Sequence, residues 1–313
     1  MKFKNIAILG DNTFGGVLGK KGTESDITLY SYKEESQALS FVVPTEYPGK
    51  IQSMVYAINM TDAAIVKVDA ISRTLGEIIV ALECANIKKG YIVMGENLIK
   101  EQILPIIKGT VLQNYKFIDN DRIAIIDTLS REDISSDPGN IKVQIDHFFD
   151  VKSVGTVILG RAYGKARKFD EFIMYPTDKK VNVKSIQIYD EDHDEAENGS
   201  RAGISLKGVS VAELERGYVL AKEGTMNVAR EINVKFKIQK FWRYPISAGG
   251  EYVFVCGLQQ LRAIIKEGSL GSGEEGTIKI GLDWKLAYAP GDRIWLLRPD
   301  LPDNRVVGCG III

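Results

Sequence analysis

Histidine, cysteine and tryptophan are the scarce residues of this 313-residue chain, at two, three and three copies. Two histidines, His147 and His193, are too few for a His-based metal site, so no metal is expected. The three cysteines (Cys84, Cys256 and Cys309) are odd in number and far apart, and make no CxxC pair. That excludes a disulfide framework and a zinc site. The same scarcity leaves no Ser-His-Asp or Cys-His constellation, and no catalytic residue is assigned. Charge of one sign is lacking too: 40 Lys and Arg against 41 Asp and Glu leave a net charge of −1. Nucleic acid held by bulk charge would require a basic chain, so RNA contact must come from a local patch, and no DNA partner is expected. No apolar run approaches the ~20 residues that span a bilayer. The N-terminal apolar run is too short for a signal peptide. These absences predict a cytoplasmic protein with no membrane partner.

What is present is ordinary globular composition, 45% hydrophobic and 26% charged, in a length that suits two or three domains. The first third alternates strand and helix signals. Asn5–Leu9, Ala63–Val68 and Tyr91–Met94 read as buried strands. Thr74–Ala85 has helical spacing, with Thr74 as N-cap and Glu77 in capping-box register, and Leu98–Ile107 reads as a second helix. Alternation of this kind predicts a parallel sheet. From Ile141 onward, short strands recur every 8–12 residues between Gly, Asp and Asn turns, the pattern of all-β barrels. The expected organisation is an α/β domain over 1–118, a linker over 119–140 centred on Ser135–Asn140, one barrel over 141–226 and a second over 227–313.

The first strand runs into Gly10-Asp11-Asn12-Thr13-Phe14-Gly15-Gly16-Val17. A phosphate-binding loop needs GxxxxGK[ST] there, Lys for the phosphates and the hydroxyl for Mg²⁺. Gly10 and Gly15 have the right separation, but Gly16 and Val17 replace the Lys and the Ser/Thr, and Lys20 and Lys21 come too late. A plain Gly-rich turn, an altered anion site and a competent loop all remain open. Asp190–Glu197 places six carboxylates in eight positions, but Glu195 and Arg201 stand where a calcium loop needs Gly and Glu, so a solvated hairpin is expected. Lys235–Tyr244 interleaves basic and aromatic residues. It fits best a strand with Phe236 and Ile238 inward, with an RNA surface in which Trp242, Arg243 and Tyr244 lie exposed near its end as the alternative. Arg161, Lys165, Arg167 and Lys168 form a second basic cluster, read as a solvated loop or as an RNA contact.

Taken together, these residues resemble the translational GTPases, in the branch of elongation factor Tu, archaeal elongation factor 1-alpha and the selenocysteine-specific elongation factor. The resemblance is carried by Gly155-Thr156-Val157, Gly160, Val183-Lys184-Ser185-Ile186, Gly203, Val209 and Arg216-Gly217, which match the succession of the family's second domain. Asn304–Ile312 resembles the strand closing its third domain, and Asp62–Ala70 the strand after its second nucleotide motif. The resemblance implies a degenerate P-loop α/β domain followed by two β-barrels.

It also implies which residues correspond to the GTPase machinery. The stretch matching DxPGH is Glu46-Tyr47-Pro48-Gly49-Lys50, with Lys50 at the position of the catalytic His. The NKxD position holds Gly95-Glu96-Asn97-Leu98. The vestigial nucleotide residues are therefore Gly10, Asp11, Asn12, Gly15, Gly16, Pro48, Gly49 and Lys50. Phosphoryl transfer depends on all these parts together. The expectation is a protein that binds tRNA or the ribosome through its barrels without efficient GTP hydrolysis, and for which neither GTP nor Mg²⁺ is an expected cofactor. The alternatives are an active GTP-dependent elongation factor with divergent motifs and a protein-interaction module derived from one.

Overall fold

The computed structural model describes residues 1–134 and 139–313. Ser135–Pro138, the core of the expected linker, lie outside the described residues.

The N-terminal body begins with β1 (Lys2–Leu9), α1 (Phe14–Leu18), β2 (Lys20–Glu24), β3 (Thr28–Lys33) and β4 (Gln37–Val43). It continues through α2 (Ile51–Asn59), β5 (Ala63–Val68), α3 (Arg73–Ala85), β6 (Gly90–Met94), α4 (Lys100–Ile107), β7 (Lys116–Ile118) and α5 (Arg122–Arg131). The strands form one sheet in the order β2-β3-β4-β1-β5-β6-β7. β1 runs parallel to β4 and β5, β5 to β6 and β6 to β7, whereas β3 is antiparallel to β4 and β2 to β3. Helices on both faces explain why β5 is buried at all six positions and reads as one apolar run rather than an alternation.

Two expectations are corrected here. The cap of α3 is Ser72, whose side chain accepts from the Leu75 amide; Thr74 lies inside the helix, and Glu77 is committed elsewhere. The stretch expected to be a linker from residue 119 contains α5, capped by Asp121 through the Ala124 amide. Its Ile125, Ile126 and Leu129 pack into the same core as Ile6, Ile8, Phe41 and Ile65. At its far end the buried Lys4 ammonium donates to the carbonyls of Leu129 (2.9 Å) and Ser130 (2.7 Å), answering the partial negative charge of a helix C-terminus.

The remaining strands are β8 (Lys142–Val151), β9 (Gly155–Tyr163), β10 (Ala166–Arg167), β11 (Glu171–Tyr175), β12 (Lys179–Ile188), β13 (Glu191–His193), β14 (Glu195–Ala196), β15 (Arg201–Lys207) and β16 (Val219–Ala221). They pair in the order β11-β16-β8-β9-β15-β12-β13, and a β11–β12 pairing closes the first barrel. The second barrel comprises β17 (Asn227–Ile238), β18 (Glu251–Cys256), β19 (Gln259–Glu267), β20 (Glu275–Tyr288), β21 (Arg293–Leu297) and β22 (Val306–Ile312), closed in the order β17-β20-β19-β18-β21-β22. Along β17, Ile232, Val234, Phe236 and Ile238 are buried and alternate with exposed Asn233, Lys235 and Lys237, the inward alternation of a core strand. The chain divides into two compact units: the α/β body joined by residues 239–242 and 297–309, and the rest of the two barrels together.

Candidate functional site

The loop after β1 has the position of a phosphate loop but is built differently. Gly10 has φ +100°, and a Cβ there would lie 2.0 Å from the Lys67 carbonyl oxygen, so the close approach of two strand ends requires this glycine. A Cβ at Gly15 would meet Val43 Cγ2 at 2.5 Å and the Tyr30 ring at 2.7 Å. Packing against β3 and β4 thus accounts for that residue. Gly16 is exposed, with only Tyr30 near at 3.5 Å. α1 is five residues long and ends at Gly19, after which the chain enters edge strand β2, where Lys21 pairs with Glu24 at 2.6 Å. Lys20 lies exposed on the same strand.

Asp11 folds back on its own loop, accepting from the Thr13 amide (2.8 Å) and hydroxyl (2.7 Å). Asn12 reaches the other vestigial segment, donating to the carbonyls of Thr45 (3.2 Å) and Tyr47 (2.8 Å). Lys50, at the position of the family's catalytic His, pairs with Glu46 at 2.7 Å, so the two substituted residues neutralise each other at the surface. The structure therefore brings Asn12 together with the turn containing Pro48, Gly49 and Lys50, and no side chain of these three faces the Gly10–Gly16 loop through a polar contact among the described residues.

That turn is braced from a second side. The Arg305 guanidinium donates to the carbonyls of Pro48 (2.7 Å) and Gly49 (3.4 Å) through Nη1, and to Glu77 through Nη2 (2.6 Å) and Nε (3.1 Å). Its backbone N–H adds a third bond to Glu77, at 3.0 Å. The pair is buried, with side-chain exposures of 9% and 8%, and the guanidinium lies 5.7 Å from the centre of the Tyr47 ring. Burial, with Glu77 nearby, pushes the Tyr47 phenol well above its ordinary pKa, and its hydroxyl donates to the Thr74 carbonyl. At the ends of β5 and β6 the buried Lys67 ammonium donates to Asp69 at 2.6 Å and lies 6.0 Å from the Phe14 ring. A Cβ at Gly95, where the guanine motif would begin, would lie 2.6 Å from that Asp69 carboxylate. Lys67 and the Arg305–Glu77 pair were not singled out as site residues from the sequence. The one available signal was a lysine inside the apolar run Ala63–Val68, since Arg305 and Glu77 are 228 positions apart.

In the first barrel the structure assembles a second group. A bulge between Ile145 and His147 on β8 turns Asp146 inward, where its carboxylate meets Arg201 at 2.7 Å, Arg216 at 3.0 Å and His147 Nδ1 at 3.5 Å. Burial opposes ionisation of Asp146, but Arg201, the His147 contact and Arg216 outweigh it and hold the carboxyl far below the usual carboxylate range. Arg161 stands directly across from Arg201 in the β9–β15 register and is itself only 3% exposed. One carboxylate thus faces two guanidiniums, a net positive cluster that reaches solvent at Arg216 (23% exposed) and His147 (32%). Its chemistry suits an oxyanion, a phosphate or a carboxylate, because the guanidinium fork matches either.

The residues proposed as RNA contacts are scattered. Arg161 is buried and stacks on Tyr163 at 4.8 Å, which corrects its placement in an exposed loop cluster. Lys165 and Arg167 are exposed, but both pair with Glu195, at 2.7 and 3.6 Å, so the basic loop and the acidic run neutralise each other. Lys168 lies 5.3 Å from the exposed Phe169 ring. Trp242 is 3% exposed and belongs to the core, correcting the expectation of an exposed indole; Arg243 and Tyr244 are exposed, Tyr244 at 60%. Among the described residues there is no group of three or more His, Cys, Asp or Glu able to hold a metal ion, and no helix is long and apolar enough to cross a membrane.

Residues 155–221 match the family model for elongation factor Tu domain 2. Over 285 residues the chain is 39% identical to an uncharacterised protein of Methanocaldococcus jannaschii, covering 90% of this chain and 91% of that one. It is 27% identical over 334 residues to the selenocysteine-specific elongation factor of the same organism, covering 93% and 71%. The crystal structure of translation elongation factor SelB from Methanococcus maripaludis, in complex with the GTP analogue GppNHp, superposes with a TM-score of 0.82 at 25% identity, covering 100% of this chain and 79% of that one. The shared three-part architecture, the matched second domain and these likenesses lead to one assignment: the chain belongs to the translational GTPase family of elongation factor Tu and the selenocysteine-specific elongation factors.

Proposed function

We propose that this protein is an elongation-factor-like binding protein that engages tRNA or the ribosome through its barrels and does not hydrolyse GTP efficiently. The observation that carries this reading is the bracing of the Thr45–Lys50 turn by Asn12 on one side and Arg305 on the other. In a GTPase such a turn is ordered by the γ-phosphate and Mg²⁺ and released after hydrolysis. Here protein groups supply the hydrogen bonds, Lys50 is paired to Glu46, and Gly16 stands where the P-loop Lys would follow Gly15. Among the described residues, the positions that correspond to the family's P-loop Lys and catalytic His hold Gly16 and the Glu46-paired Lys50, which supports a reading without efficient phosphoryl transfer. The cationic cluster around Asp146 supports the other half of the reading, because the family uses this barrel near the tRNA acceptor end. Such a role belongs in the cytoplasm.

The test is calorimetry with GTP, GDP and ATP in Mg²⁺, followed by titration with tRNA at several salt concentrations. The expected result is no heat with any nucleotide at millimolar concentration, and tRNA binding that weakens steeply with salt. Guanine-specific micromolar binding would return the protein to an ordinary GTP cycle. Absence of tRNA and ribosome binding would reduce it to a protein-interaction module.

A further inference from the structure

Trp284 is the one tryptophan at the surface: it is 49% exposed, whereas Trp242 and Trp295 are 3% and 0%. Its indole is tied at one end to the Tyr218 hydroxyl, which holds the ring in place with half of its surface open to solvent. The local backbone presents it deliberately. In the β17–β20 ladder Ala229 pairs with Leu286 and Glu231 with Gly281, so the single residue Arg230 stands opposite the four residues 282–285, and the bulge carries Asp283, Trp284 and Lys285 outward. The Arg230 guanidinium sits 5.1 Å from the indole centroid. Asp283 is engaged by Arg262, through its backbone N–H at 2.9 Å and its guanidinium at 3.5 Å, so the charge flanking the ring is that of Arg230 and Lys285.

We infer that Trp284 and Arg230 form a stacking platform for an unpaired base of RNA, with Arg230 and Lys285 placed for its backbone. The inference rests on the proposed function and deepens it. Bases stack on aromatic faces whatever their sequence, and a flanking guanidinium adds both cation–π and phosphate contact. The platform also adjoins the cationic cluster of the first barrel. The Tyr218 hydroxyl is beside Trp284, and Tyr218 follows Arg216 by two residues, no more than about 7 Å of chain. A single strand crossing from one to the other would set a base on Trp284 and an anionic group against Arg216. A protein partner fits less well: the exposed apolar side chains at this point of the ladder are Trp284 and, opposite Gly281, the 39%-exposed Ile264, and Arg230 and Lys285 flank the ring.

The full-length chain is titrated with unfractionated tRNA and with a 12-nucleotide poly(A) RNA, following tryptophan fluorescence. Both RNAs are expected to quench emission, the quench is expected to vanish in Trp284→Ala, and that variant should bind each RNA about 10-fold or more weakly. Trp284→Phe should recover most of the affinity, and Arg230→Gln should weaken binding at unchanged thermal stability. If Trp284→Ala binds as the wild type while Arg216→Gln does not, the platform is refuted and the proposed function stands. If the wild type binds no RNA at all, both fall, and a protein that shifts Trp284 emission instead would equally overturn the assignment.

Discussion

The Arg305–Glu77 pair makes the sharpest demand on the structure. Arg305→Met preserves most of the side-chain volume, but it removes the guanidinium donors to Glu77 and to the Pro48 carbonyl, keeps only the backbone N–H bond to Glu77, and leaves a carboxylate that is 8% exposed without its counter-charge. At ~4 Å and an effective dielectric of ~20, the attraction is about 4 kcal/mol. Breaking one side of a buried pair costs about 3–5 kcal/mol by mutational experience. A loss near 3 kcal/mol is therefore expected, localised to the turn that Arg305 braces. Hydrogen exchange reads it directly, because the Tyr47 amide bonds the Pro44 carbonyl at 3.1 Å and the Lys50 amide the Glu46 carbonyl at 2.8 Å. If opening of the turn carries that whole loss, both amides exchange about 100-fold faster. The double variant Glu77→Leu/Arg305→Met should recover most of the stability, since a buried pair is often replaceable by apolar groups at little cost. A loss below ~1 kcal/mol in the single variant, with unchanged exchange at Tyr47 and Lys50, would reduce the pair to a surface bridge and refute the bracing argument.

Four further outcomes follow from single positions. Asp146 has a folded pKa held below its unfolded value, so its contribution to stability is present above pH ~4 and lost as pH falls through the folded pKa; Asp146→Asn should lower stability at pH 7 and flatten its decline in acid, measured by urea unfolding between pH 2 and 7. Gly10→Ala should cost about 3 kcal/mol or more, since it combines a strained φ with a collision against the Lys67 carbonyl. Gly109→Ala, at φ +77° with nothing within 4 Å, should cost about a third as much in the same urea titration. Lys4→Met should destabilise the α/β body by about 1–2 kcal/mol, with amide exchange rising first at the C-terminal turn of α5.

Elements whose pattern is local were legible. Ala63–Val68 is β5 residue for residue, and Phe236 and Ile238 point inward as their alternation required. The order of one α/β body and two barrels also follows from periodicity and turn spacing. What was hidden depends on partners distant in sequence. The helical stripe of α5, Ile125, Ile126 and Leu129, is blurred in the sequence by Ile123, an apolar residue that is 75% exposed in the fold. Glu77 has the spacing of a capping-box residue, yet its partner is Arg305, and Ser72 performs the capping. Asp146 reads as one acid in a strand until the β8 bulge turns it toward Arg201 and Arg216. Arg161 and Trp242 looked like surface residues because charge and aromaticity do not report burial.

The same contacts bear on whether the first domain is a damaged GTPase or a differently completed one. A site that had only lost its ligand would retain donors and cations facing empty space, at a cost of ~1–3 kcal/mol for each buried unsatisfied group. The groups at this end are matched: Asn12 to two carbonyls, Lys50 to Glu46, Lys67 to Asp69, Arg305 to Glu77 and the Pro48 carbonyl. Asn12 and Lys50, two of the residues that correspond to the family's nucleotide machinery, are thereby committed to protein partners. Restoring the P-loop residues by Gly16→Lys and Val17→Thr meets no steric obstacle at Gly16, where a Cβ stands 3.5 Å from Tyr30. It leaves the turn from Thr45 to Lys50 fastened, so nucleotide affinity from that double variant should stay weak until Arg305 and Asn12 are released as well. Tight GTP binding after the loop change alone would mean that the bracing is incidental and that the missing lysine was the whole deficit.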